Sequence, residues 1–96
     1  MTVIRNQPFH VAADHDGIET DTYELLIDGA VVSSHQVSAL QAGVITFSNV
    51  LITVLGPHTA AIRANGPGGT ATSASLPFDV VAAAPGAPTN IRLILV

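Results

Sequence analysis

The strongest alternation of apolar and polar positions lies between residues 55 and 78. Gly56 and Pro57 give a turn signal, and every second residue from His58 to Ala64 then falls on one face. After a second turn signal at 65–69, residues 74, 76, 78 and 80 share a face and Pro77 points the other way. Two alternating runs around a short turn are typical of a β-hairpin. We therefore expect antiparallel strands at 58–65 and 70–81, with Pro77 suited to an edge position.

Five further segments have the short alternating pattern of β-strands, at 2–5, 8–13, 22–27, 30–34 and 44–54. In the third of these, Tyr23, Leu25 and Ile27 share one face, and the Asp28-Gly29 pair that follows is a strong hairpin signal. In the last, the apolar parity changes at 48–49, which predicts a bulge or a bend. Residues 14–21 and 35–43 are expected to be connections.

The absence of a helical period, together with these turn signals, indicates the fold class. We expect an all-β fold, a single antiparallel two-sheet β-sandwich of about seven to eight strands. A chain of 96 residues has room for one domain, which we place at 1–81. Residues 82–88 are rich in Ala, Gly and Pro and are expected to be a linker, and 89–96 is expected to be a C-terminal strand.

The amino-acid composition argues against several classes of binding partner. Charged residues make up 10% of the chain, with three Arg and no Lys, so we expect no nucleic-acid partner. The chain has no Cys, which excludes disulfides and thiolate metal sites. No segment resembles a signal peptide or a membrane span, so we expect no membrane partner. If Met1 is the natural start, the protein is made in the cytoplasm without a signal peptide; if it is not, an extracellular module remains an alternative.

Four carboxylates within eight residues form the one candidate metal site, those of Asp14, Asp16, Glu19 and Asp21. Oxygen ligands of this kind are what Ca²⁺ prefers. Their spacing differs from that of an EF-hand loop, and a solvated acidic loop has the same composition. We expect no tightly bound metal there and no other cofactor.

The residues that catalysis would need are scattered. Ser33, Ser34 and His35 are adjacent along a strand end, where neighbouring side chains point to opposite faces. No nucleophile elbow or glycine-rich phosphate loop is present. The four histidines lack the spacing of a zinc site; they are His10, His15, His35 and His58. The sequence therefore predicts that the protein is not an enzyme.

Two runs carry a resemblance to a known family. Leu55-Gly-Pro-His-Thr-Ala-Ala-Ile-Arg-Ala-Asn-Gly-Pro-Gly-Gly resembles the penultimate strand and last turn of fibronectin type III and related bacterial immunoglobulin-like domains. Tyr23-Glu-Leu-Leu-Ile-Asp-Gly resembles their third strand and turn, so the resemblance covers roughly residues 8 to 81. His58 stands where the family carries a corner tyrosine, and the chain has no Trp. Ala87-Pro-Thr-Asn-Ile-Arg-Leu resembles the way such a domain begins.

The end of the chain is apolar on both strand faces, which is unusual for a sheet with one solvated side. An exposed strand of this kind is a template for edge pairing, so we expect it to be buried in its own sandwich or against a partner. The candidate interaction residues are Ile91, Leu93, Ile94, Leu95 and Val96.

These observations favour a non-enzymatic structural or interaction module. Small immunoglobulin-like sandwiches of this kind resemble phage virion proteins, which implies a self-assembling or lattice-bound role as a capsid decoration, head or fibre component. The expected partner is a second copy of the chain or a larger protein lattice. The alternative is a repeat or spacer module of a secreted bacterial surface or carbohydrate-active protein.

Overall fold

A computed structural model describes residues 1–37 and 43–95, which form two β-sheets. The described strands are β1 (Thr2–Ile4), β2 (Phe9–Asp14), β3 (Thr22–Ile27), β4 (Ala30–Gln36), β5 (Val44–Val50), β6 (Gly56–Gly66), β7 (Gly69–Thr72) and β8 (Leu76–Val81). The larger sheet has six of these strands in the order β1-β8-β6-β3-β4, with β7 also paired to β6, and the smaller sheet contains β2 and β5. This architecture confirms the predicted two-sheet sandwich. In the part of the chain described, no helix has the length and apolar character needed to cross a membrane.

The core lies between the two sheets and follows the predicted alternation. Tyr23, Leu25 and Ile27 of β3 are all buried, as are Ala60 and Ile62 on the paired strand β6. The smaller sheet and β8 supply the rest of the core cluster, namely Ile45, Phe47, Val50, Phe78 and Val80. Because side chains alternate across a strand, one face of each of these strands can be apolar while the other remains half-exposed.

The hairpin between β3 and β4 is built on the predicted Asp-Gly turn. Asp28 has a φ of 52° and Gly29 a φ of 83°. Positive φ at both central residues is the requirement of a type I′ turn, which suits the right-handed twist of the flanking strands. The turn signal in the sequence is therefore confirmed at these two positions.

The predicted irregularity in the strand that begins at residue 44 is also present. Phe9 pairs with Val50 and Val11 with Phe47, so β5 carries one more residue than β2 over this interval. Asn49, inside it, has a φ of 58°. The extra residue restores the inward parity at Val50, as expected of a bulge. The strand ends there, and 51–55 form no further strand.

Pairing of β1 departs from the expectation of antiparallel strands throughout. β1 runs parallel to β8, with Thr2 opposite Asp79 and Ile4 opposite Val81. The chain then turns at Asn6, which has a φ of 64°, and enters the smaller sheet as β2. Consecutive strands β1 and β2 thus lie in different sheets, which alternation along the chain cannot reveal.

The predicted strand 70–81 is interrupted at Ser73. The Ser73 amide donates to the Ile62 carbonyl (2.9 Å), and the Ile62 amide donates to the Ser73 hydroxyl (2.9 Å). A side-chain oxygen therefore replaces a backbone carbonyl in the pairing with β6. Pro77 lies opposite Thr59 of β6. On the other side of β8, β1 pairs only with residues 79–81, so no strand lies beside Pro77 there and its missing N–H is tolerated.

Gly66 provides the first test of the fold. A Cβ at this position would overlap the carbonyl oxygen of Glu19, whereas a Cβ at Gly68 would meet no atom within 4 Å. We expect Gly66→Ala to lower the free energy of unfolding by about 1–3 kcal/mol, because the backbone at Glu19 and Thr20, in the loop before β3, must move. Gly68→Ala is the matched control and should change it little. Urea denaturation of the two variants makes the comparison, and equal stabilities would contradict the close packing at Gly66.

Candidate functional site

The C-terminal segment leaves the sandwich altogether. None of the residues 82–95 belongs to a strand, and Ile91, Leu93, Ile94 and Leu95 are exposed to 97, 96, 74 and 97%. The molecule is consequently 74 Å long but only 24 by 20 Å across. The expected strand at 89–96 is therefore not formed within a single chain, and the sandwich of the same chain does not bury it. Val96, the last candidate interaction residue, lies outside the described residues.

The reason lies at the end of β8. Val81 already pairs with Ile4 of β1, and the amide of Arg5 donates to the Val81 carbonyl (2.8 Å). β1 thus occupies the position beside β8, and the chain continues past the end of the sheet. The linker contains Pro85 and Pro88, whose nitrogen atoms cannot donate a hydrogen bond to any sheet.

The acidic residues 14–21 do not converge on one point. Asp14 ends β2, Asp16 accepts a hydrogen bond from the Ile18 amide (3.0 Å), and the Asp21 amide donates to the Asn65 carbonyl (2.7 Å). Glu19 lies in a turn with a φ of 46°. Within 1–37 and 43–95, no three His, Cys, Asp or Glu side chains are grouped so that they could hold a metal ion.

The histidines are also dispersed. The ring of His15 lies edge-on to Tyr23 with centroids 5.2 Å apart, and that of His35 lies against Phe47 at 4.8 Å. His10 accepts a long hydrogen bond from the Asn49 amide (3.4 Å). These three rings thus have structural contacts at separate places in the sandwich.

His58 has a role that the sequence did not reveal. Its Nδ1 is 2.5 Å from Oδ2 of Asp28, and its Nε2 is 2.8 Å from the carbonyl oxygen of Val54. The other carboxylate oxygen of Asp28 accepts the Thr59 amide (2.9 Å), and the ring stacks on Phe78 with centroids 5.8 Å apart. We call His58, Asp28 and the Val54 carbonyl the histidine clasp. It joins the turn after β3 to the loop before β6.

The bond from His58 to Val54 can be compared with that of the corner tyrosine in the domains that the sequence resembles. A corner tyrosine hydrogen-bonds to the backbone a few residues upstream of itself. His58 makes the same kind of bond, to Val54 four residues earlier. The imidazole therefore ties β6 to the loop that precedes it, and adds an ionic contact to Asp28 that a tyrosine would not make.

Both ring nitrogens of His58 face acceptors, so the protonated imidazolium fits the clasp best. The hydrogen bond to Asp28, followed by that to the Val54 carbonyl, raises the pKa of His58. The pKa of Asp28 is lowered by its hydrogen bond to His58 and by the Thr59 amide.

Beside the clasp, a cavity of about 430 Å³ opens between the sheets next to β5. Its walls come from Val32 and Ser33 of β4 and from the segment 48–54, and Asp28 and His58 of the clasp also line it. His58 and Asp28 are the titratable groups in this lining, and each is bonded to the other. The arrangement stabilises the loop 51–55 and leaves a partly apolar recess.

A second polar cluster lies on the outer face of the larger sheet. Arg63 donates through Nε and Nη2 to Glu24, which is directly opposite on β3, at 3.0 and 2.9 Å. Asn65 also donates to the Glu24 carboxylate. Hydrogen bonds from Asn65 and then Arg63 lower the pKa of Glu24. This cluster is a cross-strand contact that reinforces the β3–β6 pairing.

Comparison with known proteins identifies the fold. No protein-family model matches this chain, and no curated protein does. A fibronectin(III)-like module of Clostridium thermocellum CbhA superposes with a TM-score of 0.54 at 16% identity, over 85% of this chain and 84% of that one. The extracellular domain of mouse leukocyte-associated immunoglobulin-like receptor 1, crystallised as a strand-swapped dimer, superposes with a TM-score of 0.58 at 12% identity, over 83% of this chain and 85% of that one.

The chain is therefore an all-β module with two sheets packed as a sandwich. More narrowly, it has the fold of fibronectin type III and immunoglobulin-like domains, as the resemblance of residues 8–81 predicts. Identities of 12 and 16% establish a shared fold and nothing finer.

The histidine clasp predicts how stability changes with pH. Because the pKa of His58 is raised on folding, its contribution is fully present below its ordinary value of 6.5 and is lost as the pH rises through the folded-state pKa. Because that of Asp28 is lowered, its contribution is present above 3.8 and is lost as the pH falls through the folded-state pKa. We expect His58→Gln to lower the melting temperature more at about pH 5.5 than at about pH 8.5. Exposed His10→Gln is the control, and a pH-independent difference would rule out the charged clasp.

The acidic residues 14–21 give a prediction for Ca²⁺. Since these carboxylates are spread along the loop, we expect millimolar Ca²⁺ to leave the melting temperature almost unchanged. A specific site would instead raise stability by RT ln(1 + [L]/Kd), which is about 2.7 kcal/mol at a hundredfold excess over Kd. Differential scanning fluorimetry with Ca²⁺, and with Mg²⁺ as the matched control, distinguishes the two. A rise specific to Ca²⁺ would show that the loop binds the ion.

Proposed function

We propose that this chain is a non-enzymatic structural module that assembles through its C-terminal segment. In this role it is a small self-assembling or lattice-bound protein of the virion type, such as a capsid decoration, head or fibre component. The partner is a second copy or a larger protein lattice. The module contributes a rigid sandwich, and the segment 89–96 contributes the contact.

The observation that supports this proposal is the exposure of apolar side chains outside the sandwich. Leu93 and Leu95 leave 96 and 97% of their surface in water. Burying an aliphatic side chain of this size is worth about 1.5–3 kcal/mol, so several of them together give a strong tendency to dock. Alternating Ile and Leu also have a high preference for β-strands, which suits addition to a sheet edge.

The fold supports a role in contact without chemistry. The mouse receptor domain that shares this fold was crystallised as a strand-swapped dimer, so a sandwich of this type can exchange a strand between copies. In the described residues, His58 is bonded to Asp28 and Glu24 to Arg63, and no three His, Cys, Asp or Glu side chains are grouped as a metal site would require. An edge strand needs no special residue types to bind, because backbone groups supply the hydrogen bonds.

A second function is favoured by the run 87–93. This run resembles the start of a fibronectin type III domain, and it begins at the end of a Pro-containing linker that extends away from the sandwich. In that case the chain is a repeat or spacer module of a secreted bacterial surface or carbohydrate-active protein, and the C-terminal strand belongs to the next module. The shared fold with the CbhA module agrees with this alternative.

Solution mass distinguishes the two functions. We expect the full chain to be a dimer or larger assembly by light scattering, and the combined variant Ile91→Ser, Leu93→Ser, Leu95→Ser to be a monomer. Its melting temperature should match the parent's once both are monomeric, because the core cluster and the hydrophobics packed on it lie within residues 3–80. Ile18→Ser, at an apolar residue that is 71% exposed in another part of the molecule, is the control.

The outcomes separate clearly. Assembly that disappears only in the C-terminal variant supports the proposal. A full chain that stays monomeric at high concentration contradicts self-assembly through the C-terminal segment.

A further inference from the structure

One edge of β2 pairs with no other strand of the described structure. Among the strands of residues 1–37 and 43–95, the smaller sheet contains β2 and β5 alone, since β1, the strand before β2 in sequence, pairs with β8 in the other sheet. The outer edge of β2 therefore presents unpaired backbone N–H and C=O groups within the described structure. Such an edge readily accepts another strand.

Part of the inner face of the larger sheet, near the start of β8, is also left uncovered. Leu76 has the inward parity of β8, which it shares with Phe78 and Val80. Phe78 and Val80 are 5 and 2% exposed, but Leu76 is 48% exposed. A side chain on the core face remains in water here because the two-stranded sheet does not extend over it.

Between β2 and this uncovered part of the larger sheet lies an apolar groove of about 180 Å³. We call it the β2 groove. Most of its lining is aliphatic and much of it is small, including Val11, Ala13, Ala60, Ala74 and Leu76. Short side chains on the walls leave room for large ones from an added strand.

We infer that the β2 groove accepts the C-terminal segment of a second copy, which adds as a third strand beside β2. This inference rests on the proposed assembly through residues 89–96 and names its acceptor. β2 has six residues, and 91–96 supplies another six, each about 20 Å long as a strand. Alternate side chains face the same way, so Ile91, Leu93 and Leu95 can enter the groove together. Large aliphatic side chains thus meet a wall of small ones.

The direction of the linker favours a second copy over the same chain. β8 ends at Val81, opposite Ile4, and residues 82–95 continue outward to give the molecule its 74 Å length. Pro85 and Pro88 stiffen this stretch, and folding back onto the same groove would require a reversal within it. Two copies can instead exchange segments reciprocally, which closes the assembly as a symmetric dimer.

Blocking the groove tests the acceptor. Ala74 lines the groove, is exposed and lies between β7 and β8, so Ala74→Arg should leave the fold intact while placing a charge where an apolar strand docks. We expect it to weaken self-association by about tenfold or more in sedimentation equilibrium. Ala30→Arg, at an exposed residue outside the groove, is the matched control and should leave self-association unchanged. Melting temperatures of both variants, measured under monomeric conditions, check that the fold is retained.

Disulfide crosslinking then shows whether the C-terminal segment in the β2 groove comes from a second copy or from the same chain. The chain has no native cysteine, so chains carrying Ala74→Cys can be mixed with chains carrying Leu93→Cys under mild oxidation. We expect a disulfide-linked dimer between the two kinds of chain. It should form faster than in a control mixture in which Ile18→Cys replaces Ala74→Cys. A single chain carrying both Ala74→Cys and Leu93→Cys, oxidised at high dilution, should not close on itself.

Three results would overturn the inference, and they differ from one another. An assembly that needs residues 91–95 but tolerates Ala74→Arg would place the acceptor elsewhere and leave the proposed function standing. Rapid closure of the doubly substituted chain at high dilution would show that the groove takes its own segment. A full chain that is monomeric would remove the proposed self-assembly and the inference together.

Discussion

The structure depends on burying one face of two paired strands beneath a smaller sheet. Leu25 of β3 is fully buried, and Ile45 and Phe47 of β5 are 1% exposed above it. In the part of the chain that the structure describes, the larger sheet has six strands and the smaller one two, so this contact is confined to the centre. Where the smaller sheet ends, the inner face of the larger one is left without cover. The β2 groove and the recess beside β5 are both consequences of this difference in strand number.

The two recesses are not alike. The one beside β5 is bounded by the histidine clasp, whose ionic and hydrogen-bonding groups already satisfy each other. The one beside β2 is lined mainly by small aliphatic side chains and borders an unpaired strand edge. Backbone groups at such an edge are satisfied by water in the single chain and by another strand in an assembly. Of these two recesses in the described structure, the β2 groove is therefore the one that has both an apolar wall and a row of hydrogen-bonding groups to offer a partner.

Much of the fold was predictable because its signals are local. The Asp28-Gly29 turn, the inward row of Tyr23, Leu25 and Ile27, and the bulge near Asn49 all follow from neighbouring residues and from the period of two. The parallel pairing of β1 with β8 was not predictable, because residues about 77 apart in sequence meet there. The interruption at Ser73 depends on a side-chain oxygen that finds one particular amide, that of Ile62.

The candidate site was predicted in composition but not in geometry. The apolar character of residues 91–95 was evident in the sequence, whereas their position outside the sandwich follows from β1 occupying the place beside Val81. The histidine clasp was missed because His58 and Asp28 are 30 residues apart. A usable signal existed nonetheless, since a histidine at the corner-tyrosine position invites a search for an acceptor upstream and an acid in the facing turn.

The parallel pairing of β1 and β8 also determines how the module bears mechanical tension. The chain enters β1 next to Asp79 and leaves β8 next to Ile4, so the two ends depart from opposite ends of the same pair. A pull on both ends slides the two strands past each other along their length. The hydrogen bonds between them, from the Asp79 amide to the Met1 carbonyl at 3.0 Å through the Arg5 amide to the Val81 carbonyl at 2.8 Å, then share the load and must break together. Strands pulled apart from one end would instead lose these bonds one after another.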